Sequence, residues 1–379
     1  MGMALTIPAH LLPADGRFGA GPSKVRPGQV EALAAAGAAV LGTSHRQPPV
    51  KQLVGRIRAG LATLFDAPDG YEVVLGNGGS TAFWDVATAC LVERRAQHAA
   101  FGEFGAKFAA STAGAPFLRA PQVLSADAGS VALLEPSPKD DPVDVHATPH
   151  NETSTGAMVT PVRVPGSTGL MLVDATSGAG ALPVDLAETD VYYFAPQKVF
   201  AADGGLWLAV ASPAAIERAE RVEAGAAASG RWVPEFLSFT TALTNSRADQ
   251  TLNTPAVATL VMLADQVDWL LAQGGLAWSV ARSRTSAEIL YGWAEARAWA
   301  TPFVAEKEHR STVVGTIDLD ASIDATAVVK TLRENGVYDV FPYRKLGRNQ
   351  LRVGMFPAVD PADVEALTQS VDYVVEHLA

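Results

Sequence analysis

The stretch from Gly169 to Val210 constrains the fold more than any other part of the chain, because turn residues divide it into three short apolar runs. The runs are rich in Val, Leu, Tyr and Phe, and their length and bounding residues predict buried strands: Gly169–Val173, Val191–Ala195 and Gly205–Val210. Asp174 follows the first run directly, and Lys198 lies three residues past the second. Closely spaced strands of this kind predict an α/β sheet.

Asp174 and Lys198 are candidate functional residues because ligands bind at the carboxyl ends of strands in open α/β sheets. A carboxylate and a primary amine in one crevice suit pyridoxal phosphate, since the amine forms a Schiff base with the aldehyde and the carboxylate pairs with the pyridinium nitrogen. The ordinary interpretation is a turn-forming aspartate and a solvated lysine. The apolar context of Lys198, in YYFAPQKVFAADGG, favours the functional one, because a buried amine loses its hydration.

Composition narrows the class of protein. The chain has 379 residues, of which 48% are hydrophobic and 18% charged, which is typical of a soluble globular protein with two packed domains. Its net charge of −11 argues against nucleic acid or an anionic membrane as partner. The single cysteine, Cys90, excludes an internal disulfide, and neither a secretory signal nor an apolar run of about 18 residues is found. We therefore expect a cytoplasmic protein.

A glycine-rich turn between Glu72 and Val92 is the second strong signal. A predicted strand, Glu72–Leu75, leads through GNGGST into a predicted helix, Ala82–Val92. Glycines let the backbone approach a ligand, and a helix start offers free N–H groups and a positive dipole to a phosphate. The alternative is a plain turn in which Ser80 or Thr81 caps the helix. Because pyridoxal phosphate needs one phosphate site, the presence of Asp174 and Lys198 favours the phosphate interpretation.

Two further segments present residues that suit a flat cofactor. Phe104 lies between two glycines at a predicted strand-to-helix junction, where its ring could stack on an aromatic ligand instead of packing in the core. Asn151, Thr153 and Thr155 follow a predicted strand end, where their side chains serve either turn formation or a phenolic oxygen.

Helical spacing and cap residues predict five helices outside these motifs: Gln29–Leu41, Val50–Phe65, Pro213–Glu223, Ala256–Gln273 and Gly275–Trp299. The polar segment 239–257 shows no periodic apolar face, and we interpret it as functional or as an arm between subunits. We expect no metal site, because no ligand spacing typical of one occurs.

The last part of the chain predicts a β-α-β-α unit: strand Val313–Asp318, helix Asp324–Asn335, strand Gln350–Gly354 and helix Asp360–Leu378. Arg352 lies inside an apolar strand of an acidic protein, which is typical of an arginine directed at a carboxylate or phosphate. We predict a large domain over 17–265 and a smaller one over 266–379 together with 1–16.

Motifs along nearly the whole chain resemble those of the phosphoserine aminotransferase family, in the same order: FGAGPSKVRP, SHR, GNGGST, HNETSTG, LVDATS, FAPQK, NTP and LRVGMFPA. The resemblance implies the aspartate-aminotransferase-like α/β fold (fold type I), with a central, mostly parallel sheet in the large domain and a smaller α/β C-terminal domain. It also implies pyridoxal phosphate as cofactor and a homodimer with shared active sites.

The family roles transfer to positions of this chain that match its motifs. The resemblance implies that Lys198 binds the cofactor and moves the proton, and that Asp174 pairs with the pyridinium nitrogen. The implied cofactor-binding set is Gly79, Ser80, Phe104, Thr153, Asp174, Gln197, Lys198, Asn253 and Thr254, the last two from the neighbouring subunit. The implied substrate-binding set is His45, Arg46, Arg344 and Arg352. This chain departs from the family pattern at two places. Many members have Gly-Arg where this chain has Gly79-Ser80, and many have a histidine in the segment where this chain has Tyr343, Arg344 and Lys345.

The implied reaction interconverts 3-phosphohydroxypyruvate and glutamate with O-phosphoserine and 2-oxoglutarate, in serine biosynthesis. The resemblance also suggests a phosphorylated hydroxythreonine of pyridoxine biosynthesis as substrate. An alanine–glyoxylate or serine–pyruvate transaminase is the nearest alternative, although it would not need the second group of arginines. A cysteine desulfurase is disfavoured because Cys90 lies in an apolar helix. A non-catalytic phosphate-binding protein that uses GNGGST alone would be colourless.

Overall fold

The computed structural model describes residues 5–378, so residues 1–4 and 379 of the predicted small domain lie outside the described residues. The helices are α1 (Pro27–Ala36), α2 (Pro48–Leu64), α3 (Ser80–Cys90), α4 (Glu103–Gly114), α5 (Pro213–Ala224), α6 (Phe239–Arg247), α7 (Val257–Gln273), α8 (Gly275–Glu295), α9 (Ala325–Glu334) and α10 (Pro361–Leu378). The strands are β1 (Glu72–Asn77), β2 (Ala96–Ala100), β3 (Gln122–Ser125), β4 (Val145–Pro149), β5 (Asn151–Glu152), β6 (Ala157–Met158), β7 (Leu170–Asp174), β8 (Val191–Phe194), β9 (Leu206–Ala211), β10 (Ala300–Pro302), β11 (Val314–Leu319) and β12 (Gln350–Gly354).

A seven-stranded sheet in the order β1-β9-β8-β7-β4-β2-β3 organises the larger part of the chain. Neighbouring strands from β8 to β3 are parallel, whereas β9 runs antiparallel to both β1 and β8. The three apolar runs of the sequence are the adjacent strands β7, β8 and β9, so the prediction of a central, mostly parallel sheet is confirmed.

Helices cover both faces of this sheet, which is why its central strands are apolar along their whole length instead of alternating. Tyr192 and Phe194 of β8 pack in the cluster formed with α2 and α7, and Phe65 meets the Tyr192 ring edge-on at 5.5 Å between centroids. Tyr193 points to the other face, where it stacks on Phe83 of α3 at 4.4 Å. Burial on both faces fixes the register of β8, and with it the point at which the strand ends.

The C-terminal part is a second α/β layer with its own core. Strands β10, β11 and β12 form an antiparallel sheet, and α8, α9 and α10 pack with it. Ile7 and Phe18 are buried in this core, so residues near the beginning of the described chain pack with its end. Arg352 pairs with Thr316 in the sheet register, in the strand that the sequence predicts.

Three sequence predictions differ from the structure. Helix α8 ends at Glu295 instead of Trp299. Helix α1 ends at Ala36 instead of Leu41, because turns begin at Gly37. The sequence predicts no periodic apolar face in the polar segment 239–257, whereas its first part is a helix, α6, with a buried face. Ser238 caps this helix by accepting a hydrogen bond from the Thr241 N–H. Two of the four residues on the buried face are small or polar, which weakens the periodic signal: Phe239, Ala242, Leu243 and Ser246.

None of the helices within residues 5–378 combines the length and apolar character needed to cross a membrane.

Candidate active site

A cavity of about 390 Å³ opens where β7 and β8 end and α3 begins. Seven residues predicted from the sequence line it: Gly79, Ser80, Phe104, Thr153, Asp174, Gln197 and Lys198. The carboxyl ends of neighbouring parallel strands meet at one edge of the sheet, so residues distant in sequence converge there.

Lys198 lies in the connection that follows β8, and its side chain is buried. Its Nζ donates a hydrogen bond to the Ala20 carbonyl at 2.8 Å. Burial first, and then the nearby Arg352 guanidinium, lower the pKa of this amine from 10.5 to about 8, although Asp174 and Glu152 oppose the shift. A substantial fraction of the amine is therefore neutral near physiological pH, as a nucleophile or proton acceptor requires.

Gly21 gives the lysine its space. A Cβ at this position would overlap the end of the Lys198 side chain, including Nζ, and the backbone has a φ of +135°, which L side chains rarely adopt. The chain therefore needs glycine here for both contact and conformation.

Asp174 is the last residue of β7, and three donors hold its carboxylate at the cavity. The Trp84 indole donates to Oδ2 at 3.0 Å. The Thr176 N–H and hydroxyl donate to Oδ1 at 3.0 and 2.5 Å. These three bonds fix the orientation of the carboxylate, so that it can meet a cationic ring nitrogen.

The first turn of α3 forms the third wall of the cavity. Gly79 precedes this helix, and no side chain caps its N-terminus. Ser80 and Thr81 line the cavity, and the space around a Cβ built at Gly79 is open to 4 Å. Uncapped N–H groups with the positive end of the helix dipole form a phosphate site. The Ser80 hydroxyl lies 2.6 Å from the Thr176 hydroxyl, which donates to Asp174. Thr176 therefore connects the start of α3 to this carboxylate.

Polar groups of the remaining wall include buried atoms that lack a hydrogen-bond partner among the described residues. The Asn151 amide and the Thr153 hydroxyl both donate to Ser177 Oγ at 2.8 Å. The Asn151 Oδ1 and Gln197 Oε1 atoms are buried and unpartnered there. Since buried polar atoms are normally paired, such atoms beside a cavity indicate that the cavity holds a polar ligand.

Together these walls satisfy what the sequence predicts for pyridoxal phosphate. The lining combines an amine, an oriented carboxylate, an aromatic ring and an uncapped helix start. The Phe104 ring centroid lies 5.9 Å from Lys198 Nζ, so the aromatic face is close to the amine. The residues present fit this group.

The comparison with known families agrees with this geometry. The family model for class-V aminotransferases matches residues 20–338. The chain belongs to the class-V aminotransferase family. A relative named putative phosphoserine aminotransferase, from Mycobacterium avium, is 61% identical over 99% of this chain and 98% of its own.

Solved structures extend this family likeness to the fold. A phosphoserine aminotransferase from Cytophaga hutchinsonii has a TM-score of 0.85 at 21% identity, covering 94% of this chain and 98% of its own. A pyridoxal-phosphate-bound phosphoserine aminotransferase from Trichomonas vaginalis has a TM-score of 0.76 at 17% identity, covering 94% and 99%. The predicted aspartate-aminotransferase-like fold (fold type I) is thereby confirmed.

Four predicted residues lie together outside the cavity, on an exposed or half-exposed surface: His45, Arg46, Asn253 and Thr254. His45 Nδ1 is 3.3 Å from the Thr254 hydroxyl, and Arg46 donates to Gln250 at 3.1 Å. Burial lowers the pKa of His45, with Arg46 adding to the effect. The fold therefore brings the segment with His45 and Arg46 next to the segment with Asn253 and Thr254. Within one subunit, these residues do not line the cavity.

The two predicted C-terminal arginines have different surroundings. Arg352 donates to the Thr153 carbonyl at 3.3 Å, its guanidinium lies 5.3 Å from the Tyr343 ring centroid, and its Nε is buried without a partner among the described residues. Arg344 is exposed in a short 3-10 helix, and neither arginine is among the residues that line the cavity.

Six lining residues were not identified from the sequence: Gly21, Pro22, Trp84, Thr176, Ser177 and Gly204. Thr176 and Ser177 follow Asp174 immediately, so their place in the DATSG motif was a usable signal. Trp84 lies one helical turn after Ser80, but its bond to Asp174 depends on how α3 packs against the sheet.

Proposed function

We propose that this protein is a pyridoxal-phosphate-dependent phosphoserine aminotransferase. It transfers the amino group between glutamate and 3-phosphohydroxypyruvate, giving O-phosphoserine and 2-oxoglutarate. The observation that carries the proposal is the convergence of Lys198, Asp174 and the uncapped start of α3 on one cavity. The name of the relative that is 61% identical supports the choice of substrate.

When bound, pyridoxal phosphate supplies an electron-withdrawing ring that makes the α-proton of an amino acid acidic. In this proposal Lys198 would hold the cofactor through its aldehyde group, and Asp174 would pair with the ring nitrogen. Thr153 would hold the ring oxygen, Phe104 would pack on the ring, and Gln197 would contribute a polar contact. Gly79 and Ser80 would bind the phosphate at the start of α3.

Lys198 also moves the proton. Its pKa of about 8 would let the amine accept the α-proton of a bound amino acid near neutral pH and later donate a proton. Burial around it excludes bulk water from this step.

Arg352 and Arg344 serve the anionic groups of the substrates. The buried, unpartnered Nε of Arg352 and its position beside Thr153 support binding of the α-carboxylate by this guanidinium. Both substrates carry a second anionic group, for which Arg344 at the exposed side is a candidate.

We propose that a second copy of the chain completes the site. His45, Arg46, Asn253 and Thr254 lie on an exposed or half-exposed surface, outside their own subunit's cavity. In a homodimer with shared active sites, they would reach the partner's cavity, with Asn253 and Thr254 at the cofactor phosphate and His45 and Arg46 at the substrate.

The wider context is part of the same proposal. We place the reaction in serine biosynthesis in the cytoplasm, with a phosphorylated hydroxythreonine of pyridoxine biosynthesis as a further substrate. We also propose a large domain over 17–265 and a small domain over 266–379 together with 1–16.

Half-reaction spectra test the function directly. The purified protein should be yellow, and glutamate or O-phosphoserine should bleach the visible band much faster than alanine or serine does. Lys198→Ala should abolish this change, whereas Lys330→Ala, at a lysine whose side chain is 76% exposed, should leave it intact. Faster reaction with alanine would favour the alanine–glyoxylate type, and a colourless protein would favour non-catalytic phosphate binding.

A further inference from the structure

A buried carboxylate, Glu152, lies directly behind the cavity without lining it. It occupies β5 between Asn151 and the cavity residue Thr153, and its side chain extends to the start of α4. The residue is fully buried, and the roles proposed above do not use it.

Four hydrogen bonds surround the Glu152 carboxyl group, and in each of them it accepts. Oε2 accepts from the N–H groups of Phe104 and Gly105 at 3.0 and 3.1 Å. Oε1 accepts from the Ser154 N–H at 3.3 Å and from the Ser154 hydroxyl at 2.7 Å. The Ser154 hydroxyl in turn accepts from the Glu103 N–H at 3.1 Å.

Donors surround the Glu152 carboxyl group. Burial raises the pKa of this group overall, although the N–H groups of Phe104 and Gly105 and both donors of Ser154 act in the opposite direction. The three backbone N–H groups can only donate, so they need the acceptor atoms that this side chain supplies. The positive end of the α4 dipole also faces the carboxyl group.

The backbone around Glu152 leaves room for this contact. A Cβ at Gly102, the residue that precedes α4, would overlap the Glu152 side chain and come within 2.7 Å of Ser154 Oγ. The close approach of Gly102 therefore allows a side chain from β5 to take the place of a local helix cap, since no side chain of Gly102 itself can do so.

We propose that Glu152 is a positioning residue that holds the Phe104 ring against the cofactor. The inference rests on the proposed function, because it concerns the ring that packs on pyridoxal phosphate. Glu152 binds the backbone N–H of the same residue whose ring lies 5.9 Å from Lys198 Nζ. It therefore links the strand that carries Thr153 to the helix that carries Phe104, and fixes two walls of the cavity relative to each other.

Contacts on the outer side of α4 cannot replace this link. Glu103 forms ion pairs with Lys345 and Lys107, and the Phe104 ring lies 6.3 Å from that of Tyr343. The Lys345 and Lys107 side chains are 61% and 47% exposed, and exposed ion pairs contribute little to rigidity. On the buried side, Phe108 packs in the core, and Glu152 holds the first turn of the helix by hydrogen bonds.

The test is a double-mutant cycle between Glu152→Gln and Phe104→Ala in the holoenzyme. Glu152→Gln keeps the size of the side chain but replaces one carboxylate oxygen, which accepts hydrogen bonds, with an NH₂ group, which can only donate. With Phe104 present, it should lower kcat/KM for O-phosphoserine about tenfold and reduce the visible circular dichroism of the bound cofactor. In the Phe104→Ala background, Glu152→Gln should change kcat/KM and the circular dichroism by less than about twofold. The Tm should fall whether or not Phe104 is present.

Glu103→Gln is the matched control, because it removes a carboxylate from the same helix start without touching the Phe104 N–H. It should change kcat/KM and the circular dichroism by less than about twofold. Ser154→Ala is a milder variant that deletes one donor to Glu152, and it should give a smaller loss that also disappears without Phe104.

Equal losses for Glu152→Gln and Ser154→Ala in both backgrounds would overturn the positioning role, as would wild-type behaviour of both variants. A wild-type protein that binds no pyridoxal phosphate and transaminates nothing would instead overturn the proposed function itself. The two failures are therefore distinguishable.

Discussion

Replacing Lys198 by methionine should stabilise the cofactor-free protein at neutral pH. The pKa of this amine is about 8 in the folded chain against 10.5 for an ordinary lysine, with burial as the main cause. Below pH 8 the folded state must therefore keep a buried cation. Between pH 8 and 10.5 only the unfolded state is still protonated, so the stability of the wild type rises with pH through this interval.

The magnitude follows from the two pKa values. The difference between 10.5 and about 8 corresponds to roughly 3 kcal/mol, at about 1.36 kcal/mol per pH unit. Methionine keeps the apolar stem but loses the hydrogen bond to the Ala20 carbonyl, which costs about 1 kcal/mol. Lys198→Met should therefore be about 2 kcal/mol more stable than the wild type at pH 7, and about 1 kcal/mol less stable at pH 10.5.

Urea unfolding of the cofactor-free proteins at several pH values from 7 to 10.5 measures this reversal. Lys330→Met is the control, since its exposed amine should give a difference from wild type that does not vary with pH. Parallel pH profiles for Lys198→Met and the wild type would refute the reasoning, because they would mean that Lys198 is not destabilised by its burial.

Three further predictions follow from neighbouring contacts. Gly21→Ala should lower turnover at least about a hundredfold and abolish borohydride labelling of Lys198, because its Cβ would occupy the position of the amine; near-normal labelling would contradict this. Cys90→Ala should retain activity within about twofold, and the native thiol should not react with alkylating reagents, because burial raises the pKa of Cys90; a large loss of turnover would revive the desulfurase alternative. Arg352→Gln should raise the KM for glutamate. It should also raise the pKa of the Lys198 amine in the cofactor-free protein, measured from the pH dependence of amine labelling, because Arg352 lowers that pKa; an unchanged pKa would exclude this coupling.

Local patterns in the sequence were sufficient for the centre of the fold and much of the site. Strands β7 and β8 are buried on both faces, so their apolar character is continuous and their ends are marked by Asp174 and the APQK segment. Helix α6 was missed because its buried face relies on small residues such as Ala242 and Ser246, which carry a weak periodic signal.

Contacts that depend on the packing of distant segments could not be predicted. The Trp84 indole reaches Asp174 only because α3 lies against the sheet, and Glu152 reaches Phe104 only because β5 and α4 meet behind the cavity. Neither pair is close in sequence, and neither residue type indicates its partner. Sequence reasoning identified many of the groups that face the cavity, but not the contacts that hold them in place.

The reversed direction of β9 determines how the two halves of the site come into register. Since β9 runs opposite to its neighbours, it starts at the edge of the sheet where β8 and β1 finish, and Leu206 lies beside Asn77. The Gly78 N–H then bonds to the Gly205 carbonyl at 3.0 Å, joining the glycine turn to the return segment after Lys198. If β9 ran parallel to β8, the connection between them would first have to return to the opposite edge of the sheet, and β9 would start far from the end of β1. A single inverted strand thus makes neighbours of two loops more than a hundred positions apart, and a change in the length of either loop would misalign both.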